Sequence, residues 1–318
     1  MNFNRRDFIK GMAAVTAVSA TQIVSGFPVP ESEITKEKSI SFFTKLLDKY
    51  ETPFLTETLA LAGVNSLDVT VRPQGKVEPA RVKDDLPRFV EIAWKAGLRT
   101  EMMVTAIEKP DQLFTKEILE TAASLGVKHY RTAWFKYDLD KPVAQSQQEF
   151  AAQLKLLAQL NQSVGIQGGY QNHSGTSFGS PVWDLWSALK DLPVEFMGAQ
   201  YDVRHAMVEG ANSWIVGLNL IKNNISSLAI KDFKWEVTGN KASVVSVPLG
   251  EGLIDFNLYF KTISELNIAA PITLHVEYPL LSDEEEKLSL TEKQKILVPK
   301  ISHDVDFIRY YLNKYEIR

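Results

Sequence analysis

Residue types able to hold a cation or carry a proton gather in a few short stretches of the chain: Gln171-Asn172-His173, Asp202 with His205 three positions on, Lys231-Asp232, and His275 with Glu277. Carboxylate, amide oxygen and imidazole are the ligands of a hard or borderline divalent cation such as Mg, Mn, Co or Zn. Asp202, Glu277, Gln171 and one histidine among His173, His205 and His275 would make such a set. Arg72, Trp134 and Lys136 add hydrogen-bonding and aromatic character nearby in the pattern, and Phe135, Tyr137, Tyr201, Trp235 and Tyr278 offer further rings. Flat apolar faces beside polar edges suit a sugar, whose C–H groups stack while its hydroxyls hydrogen-bond.

These residues need elements to bring them together, and the chain supplies a regular alternation. Strand-length apolar runs fall at 40–44, 67–72, 100–106, 129–133, 165–171, 195–202, 226–232 and 272–278. Helical periodicity fills 80–96, 112–125, 145–162 and 213–223 between them, and 297–315 after them. Strands apolar on nearly every residue suit a parallel sheet covered on both faces. Eight repeats of that unit predict a single-domain (β/α)8 barrel over residues 39–318; a doubly wound open sheet is the alternative, needing one strand misassigned. In a barrel, the C-terminal strand ends meet at one mouth, where the polar stretches above would converge, and alternation turns His275 and Glu277 the same way. The loop 174–186, with Trp183 and Trp186, would cover it as a lid.

Composition narrows the function. With 45% hydrophobic and 23% charged residues the chain can bury a core. Its net charge of −4, without a basic block, argues against a nucleic-acid partner. The absence of cysteine excludes disulfides, thiolate zinc sites and a Cys nucleophile. At the N-terminus, Arg5-Arg6-Asp7-Phe8-Ile9-Lys10 precedes a short, mildly apolar run, and Val18-Ser19-Ala20 offers a cleavage site. Residues 1–26 resemble a twin-arginine (Tat) export signal, with the apolar run too short for a stable membrane span and 27–38 a linker. The resemblance implies the Tat machinery as a partner and a periplasmic protein.

Several stretches, in order, resemble the sugar phosphate isomerase/epimerase proteins, the xylose-isomerase-like TIM barrels. They are Gln171-Asn172-His173, Asp202-Val203-Arg204-His205-Ala206, Ile230-Lys231-Asp232, residues 248–256 and Leu274-His275-Val276-Glu277. The resemblance implies a divalent metal held from four strands and proton transfer beside a carbonyl of a sugar. Asp202 and Glu277 match metal-ligand positions, and His205 matches one near substrate or metal. Two positions depart: Gln171 stands where the family has Glu, and Ala229 where it has His. Both weaken the metal site, and a neutral amide cannot be a general base. What survives is Glu277 as base, Lys231 as the charge facing an enolate, His205 beside them, and Arg72, Trp134, Lys136, Asn172, His173, Tyr201, Asp232, Trp235 and His275 as substrate contacts. Two readings stand: an exported isomerase, epimerase or lyase, metal-dependent or not, and a non-catalytic carbohydrate-binding barrel. Gly175-Thr176-Ser177-Phe178-Gly179 matches a nucleophile elbow, but Ser180-Pro181 blocks the required turn into a helix. The closing helix would pack on the barrel or on a second subunit of a homo-oligomer.

Overall fold

A computed structural model describes residues 38–317; the export signal and all but the last residue of the expected linker lie outside the described residues. Eight parallel strands form the barrel: β1 (Ile40–Phe43), β2 (Ser66–Val71), β3 (Arg99–Thr105), β4 (His129–Arg131), β5 (Gln167–Gln171), β6 (Met197–Asp202), β7 (Ile225–Ile230) and, last in the chain, β10 (Ile272–Leu274). β1 pairs with β2 on one side and with β10 on the other, Ile40 facing Ile272, so the sheet closes and the open-sheet alternative falls. Between β7 and β10 an antiparallel hairpin, β8 (Asp232–Thr238) and β9 (Lys241–Val247), stands apart from the barrel.

The helices are α1 (Thr52–Leu61), α2 (Val82–Lys95), α3 (Thr115–Ser124), α4 (Val143–Val164), α5 (Val182–Leu189), α6 (Val203–Gly210), α7 (Trp214–Ile221), α8 (Phe256–Glu265) and α9 (Leu290–Lys314). Their ends follow local chemistry. The Asp255 carboxylate caps α8, Ser289 and Glu292 close a capping box on α9, and α4 stops at Gly165 with φ +79°. α9 starts seven residues earlier than the apolar spacing predicts, because that capping box, not the first buried leucine, sets its origin.

Strand alternation sorts the side chains into two layers. Outward residues meet the helices and loops: the Tyr130 hydroxyl donates to Asn161 of α4, and Tyr170 donates to the Phe178 carbonyl in the loop before α5. Inward residues are largely polar, and they bond between neighbouring or next-neighbouring strands: Ser41 to Ser66, Thr273 to Asp68, Gln200 to Ser227. The barrel floor is therefore a hydrogen-bonded layer on which the mouth residues stand.

Candidate active site

Asp202 is the pivot of the mouth. As the last residue of β6 it caps α6, Oδ1 accepting the His205 N–H at 3.1 Å. Asn172 grips its main chain, Oδ1 accepting the Asp202 N–H at 2.7 Å and Nδ2 donating to the Asp202 carbonyl at 3.0 Å. Asn172 is thus a brace rather than the substrate contact the sequence suggests, since both ends of its amide are occupied.

Lys231, one residue beyond β7, places its Nζ 3.1 Å from Asp202 Oδ2 and 3.2 Å from Glu277 Oε2. Lys231 and Asp202 are buried, while Glu277 keeps about a quarter of its side chain open. Behind them, the Arg131 Nη1 donates to Gln171 Oε1 at 2.7 Å, and Gln171 Nε2 donates to Asp202 Oδ2 at 2.8 Å. The guanidinium lies 4.1 Å from the centre of the Trp134 ring, covering one face of it. Arg131 is buried, and burial together with the neighbouring Arg72 pulls its pKa down to about 10.

His205 is fully buried, its Nδ1 2.8 Å from the Ser174 hydroxyl and its Nε2 without a hydrogen-bond partner, 3.7 Å from Asp202 Oδ2. Burial, and then the charge of Lys231, hold its pKa well below the ordinary histidine value, so the ring is neutral at physiological pH. The His173 ring packs at a tilt, its centre 4.0 Å from that of His205 and 4.5 Å from that of Trp134, completing a wall of rings. Burial alone would raise the Glu277 pKa, but Lys231 foremost among its neighbours, then His275, with Lys45 and Arg204 contributing, holds it at about 2. Arg204 Nη1 reaches to 3.9 Å from Glu277 Oε2.

These residues do not fit a divalent cation. The space between the two carboxylates holds the Lys231 ammonium, and a second cation there would face it at contact distance. Gln171 turns its N–H edge, not its oxygen, toward Asp202. At the seventh strand Ala229 contributes a methyl group beside Asp202 in register. Among the described residues no group of three or more His, Asp or Glu side chains is arranged to hold a metal ion. The expected ligand set of Asp202, Glu277, Gln171 and His205 is corrected on that ground.

Other expected contacts also lie elsewhere. Tyr201 alternates outward, fully buried, with its hydroxyl 3.4 Å from the Trp214 carbonyl on the helix side. Asp232 accepts N–H bonds from Phe233 and Ile254 on one oxygen and from Gly250 and Gly252 on the other, pinning the 248–256 segment. Trp235 is exposed on the hairpin, against Phe233. Lys136 lines a separate groove of about 860 Å³ with Tyr137, Ser177, Trp183 and Asp184, so Trp183 belongs to that groove. Phe135 and Tyr137 pack with Phe150 and Phe178, and the Tyr278 hydroxyl donates to Asp304 of α9. The 174–181 loop is tied down through the Ser180 hydroxyl, which bonds the carbonyls of His173 and Gly175.

Three charged residues at the axis went unmarked in the sequence reading: Asp68, Arg131 and Arg204. Asp68 lies 3.6 Å from the Nε2 of His275, whose ring packs 4.5 Å from Phe43, while Arg72 lies over the same Phe43 ring at 5.8 Å. A charged residue inside an otherwise apolar strand was the available signal for Asp68 and Arg131, since alternation puts it on the axis together with the polar strand end.

Fold and mouth define a (β/α)8 barrel with an ion-paired polar site at its C-terminal strand ends. The chain belongs to the xylose isomerase-like TIM barrel family, which it matches over residues 107–296, and residues 2–21 match the twin-arginine translocation signal sequence. Comparison with curated proteins finds no match. Among solved structures it is similar to an L-ribulose 3-epimerase, at 15% identity over 88% of this chain and 96% of that one, TM-score 0.63. A xylose isomerase-like TIM barrel protein from Mycobacterium smegmatis in complex with magnesium matches at 14% identity over 87% and 97%, TM-score 0.62. A sugar phosphate isomerase/epimerase from Parabacteroides distasonis matches at 17% identity over 85% and 98%, TM-score 0.56. At such identities the likeness is one of fold. No helix among the described residues is long and apolar enough to cross a membrane.

Proposed function

We propose that the chain is an exported, periplasmic enzyme that moves a proton on the carbon beside a carbonyl of a keto-sugar or sugar derivative, as an isomerase, epimerase or lyase. The observation that carries this reading is the Lys231 ammonium held between a buried carboxylate and a partly open one at the barrel mouth. Glu277 is the base: it is ionised at any physiological pH and is the most open member of the trio. Paired to Lys231 it is a weak base. A substrate carbonyl that takes over a Lys231 N–H releases Glu277 from that bond and raises its basicity. The C–H proton then passes to Glu277, the electron pair moves onto the carbonyl oxygen, and Lys231 stabilises the resulting enolate. Returning the proton to the neighbouring carbon, while the hydroxyl proton on that side passes from one oxygen to the other, completes an isomerisation; returning it to the opposite face of the same carbon gives an epimer and needs a second proton carrier.

The second reading, carbohydrate binding without turnover, draws support from Gln171 and Ala229, which replace a carboxylate and an imidazole by groups that cannot carry a proton. Nuclear magnetic resonance of keto-sugars incubated with the exported protein in deuterated water separates the two. The catalytic reading expects deuterium at the carbon beside the carbonyl. Saturable thermal stabilisation by a sugar with no deuterium incorporated would establish the binding protein instead.

A further inference from the structure

From the ion-pair geometry we infer that the Lys231 ammonium is a built-in replacement for a divalent cation at this mouth, so that the protein works with a covalently tethered positive charge and takes up metal only when that charge is removed. The inference concerns the same mouth as the proposed reaction, but it rests on ion pairing and stands whether or not a sugar is turned over.

Four features of the chain agree on it. The ammonium sits at hydrogen-bond distance from both carboxylates that would otherwise share a cation. Its burial makes the position hard to vacate, because an ammonium drawn out of the pair leaves two facing carboxylates in a poorly solvated place. Gln171 is suited to this arrangement and not to metal. Its amide oxygen accepts from the buried Arg131 while its amide N–H donates to Asp202, so it links a buried guanidinium to the carboxylate without adding charge. A metal-binding amide would need its oxygen where its nitrogen now points. Finally, Ala229 lies opposite Asp202 in the strand register and leaves room for the Lys231 stem, two residues further along the same face. Local charge balance follows: two carboxylates face Lys231, and Arg131 and Arg204 supply the surrounding positive field.

Removing the tether would uncover a vacant anionic pair. With Lys231 shortened to alanine, the Asp202 and Glu277 carboxylates remain, with the unpartnered Nε2 of His205 close to Asp202. Those are oxygen and nitrogen donors of the kind Mn²⁺ and Co²⁺ accept.

The test uses the full-length protein, exported natively, and Mn²⁺ as probe. The wild type is expected to carry well under one equivalent of any transition metal by elemental analysis, to melt at the same temperature with and without chelator, and to show no saturable Mn²⁺ binding by electron paramagnetic resonance. Lys231→Ala is expected to bind Mn²⁺ at least about tenfold more tightly than the wild type and to be stabilised by it. A wild type that holds one equivalent of metal, and loses thermal stability when a chelator strips it, overturns the inference; so does a folded Lys231→Ala whose Mn²⁺ affinity equals that of the wild type. If Lys231→Ala does not fold, the wild-type measurements decide alone.

Discussion

At the residue scale, the two carboxylates that share Lys231 have different duties. Asp202 is fixed from every direction: by the α6 N-cap, the Asn172 brace, the Gln171 amide and Lys231. It organises the site and has no freedom to move a proton. Glu277 has that freedom, since it bonds to Lys231 and stands farther from Arg204 while about a quarter of its side chain stays open. Glu277→Gln is therefore expected to lower proton exchange by at least about a hundredfold, the scale of a lost general base, while leaving ligand-induced thermal stabilisation in place. Exchange at the wild-type rate in that variant would remove Glu277 from the role. Asp202→Asn should instead act on folding, because it loses a charged cap and leaves Lys231 half-compensated. A loss of about 3–5 kcal/mol in denaturant melts is expected, and a loss below about 1 kcal/mol would show the buried pair to be idle.

At the element scale, loops decide what the strands present. Asp232 follows directly on Lys231, and the three N–H bonds it accepts from Gly250, Gly252 and Ile254 fasten the 248–256 segment beside the mouth. Gly252 allows that approach, since a Cβ there would overlap the Asp232 carboxylate and the Phe233 carbonyl. Gly252→Ala is expected to destabilise the protein by about 1–3 kcal/mol through overpacking, read as a lowered denaturation midpoint, and an unchanged midpoint would mean that the loop is not held as described. The repeating β/α units were legible in the sequence because buried parallel strands are apolar on nearly every residue. The β8–β9 hairpin was not read, although Gly239-Asn240 between two alternating runs is a two-residue hairpin turn, with Gly239 at φ +61°. Expecting Trp235 at the mouth follows from missing that turn. Tyr201 lies away from the mouth for a simpler reason: one residue from Asp202 along a strand is the opposite face. Side-chain pairing was less legible still. Nothing in the stretch Gln171-Asn172-His173 tells which end of the Gln171 amide faces Asp202, because the partner that orients it, Arg131, comes from another strand.

At the scale of the whole molecule, the mouth and the rest of the chain differ in charge. Lys45, Arg72, Arg131, Arg204 and Lys231 act on one another or on Glu277, against Asp68, Asp202 and Glu277 itself, in a chain whose net charge is −4. That local positive surplus predicts that an acidic sugar such as a hexuronate stabilises the protein more than the corresponding neutral hexose, with the difference shrinking as salt is added. Equal stabilisation by the two at low salt would contradict it. Buried imidazoles also set a pH dependence. Burial lowers the pKa of His129, His173, His205 and His275 in the folded chain. Unfolded histidines titrate near about 6.5 and take up protons that the folded ones refuse, so this part of the stability is complete above about pH 6.5 and is lost as the pH falls. Melting temperatures should accordingly decline from pH 7.5 toward pH 5 (roughly the window those shifts cover), and a flat profile would mean that the histidines are solvated.

The central claim is that a tethered ammonium and an open carboxylate move a proton beside a sugar carbonyl. Its most direct measurement is the rate of deuterium incorporation into the best keto-sugar ligand by the wild-type protein after exhaustive treatment with chelator. The account predicts incorporation at the untreated rate; incorporation that vanishes with the chelator and returns with added metal would contradict it.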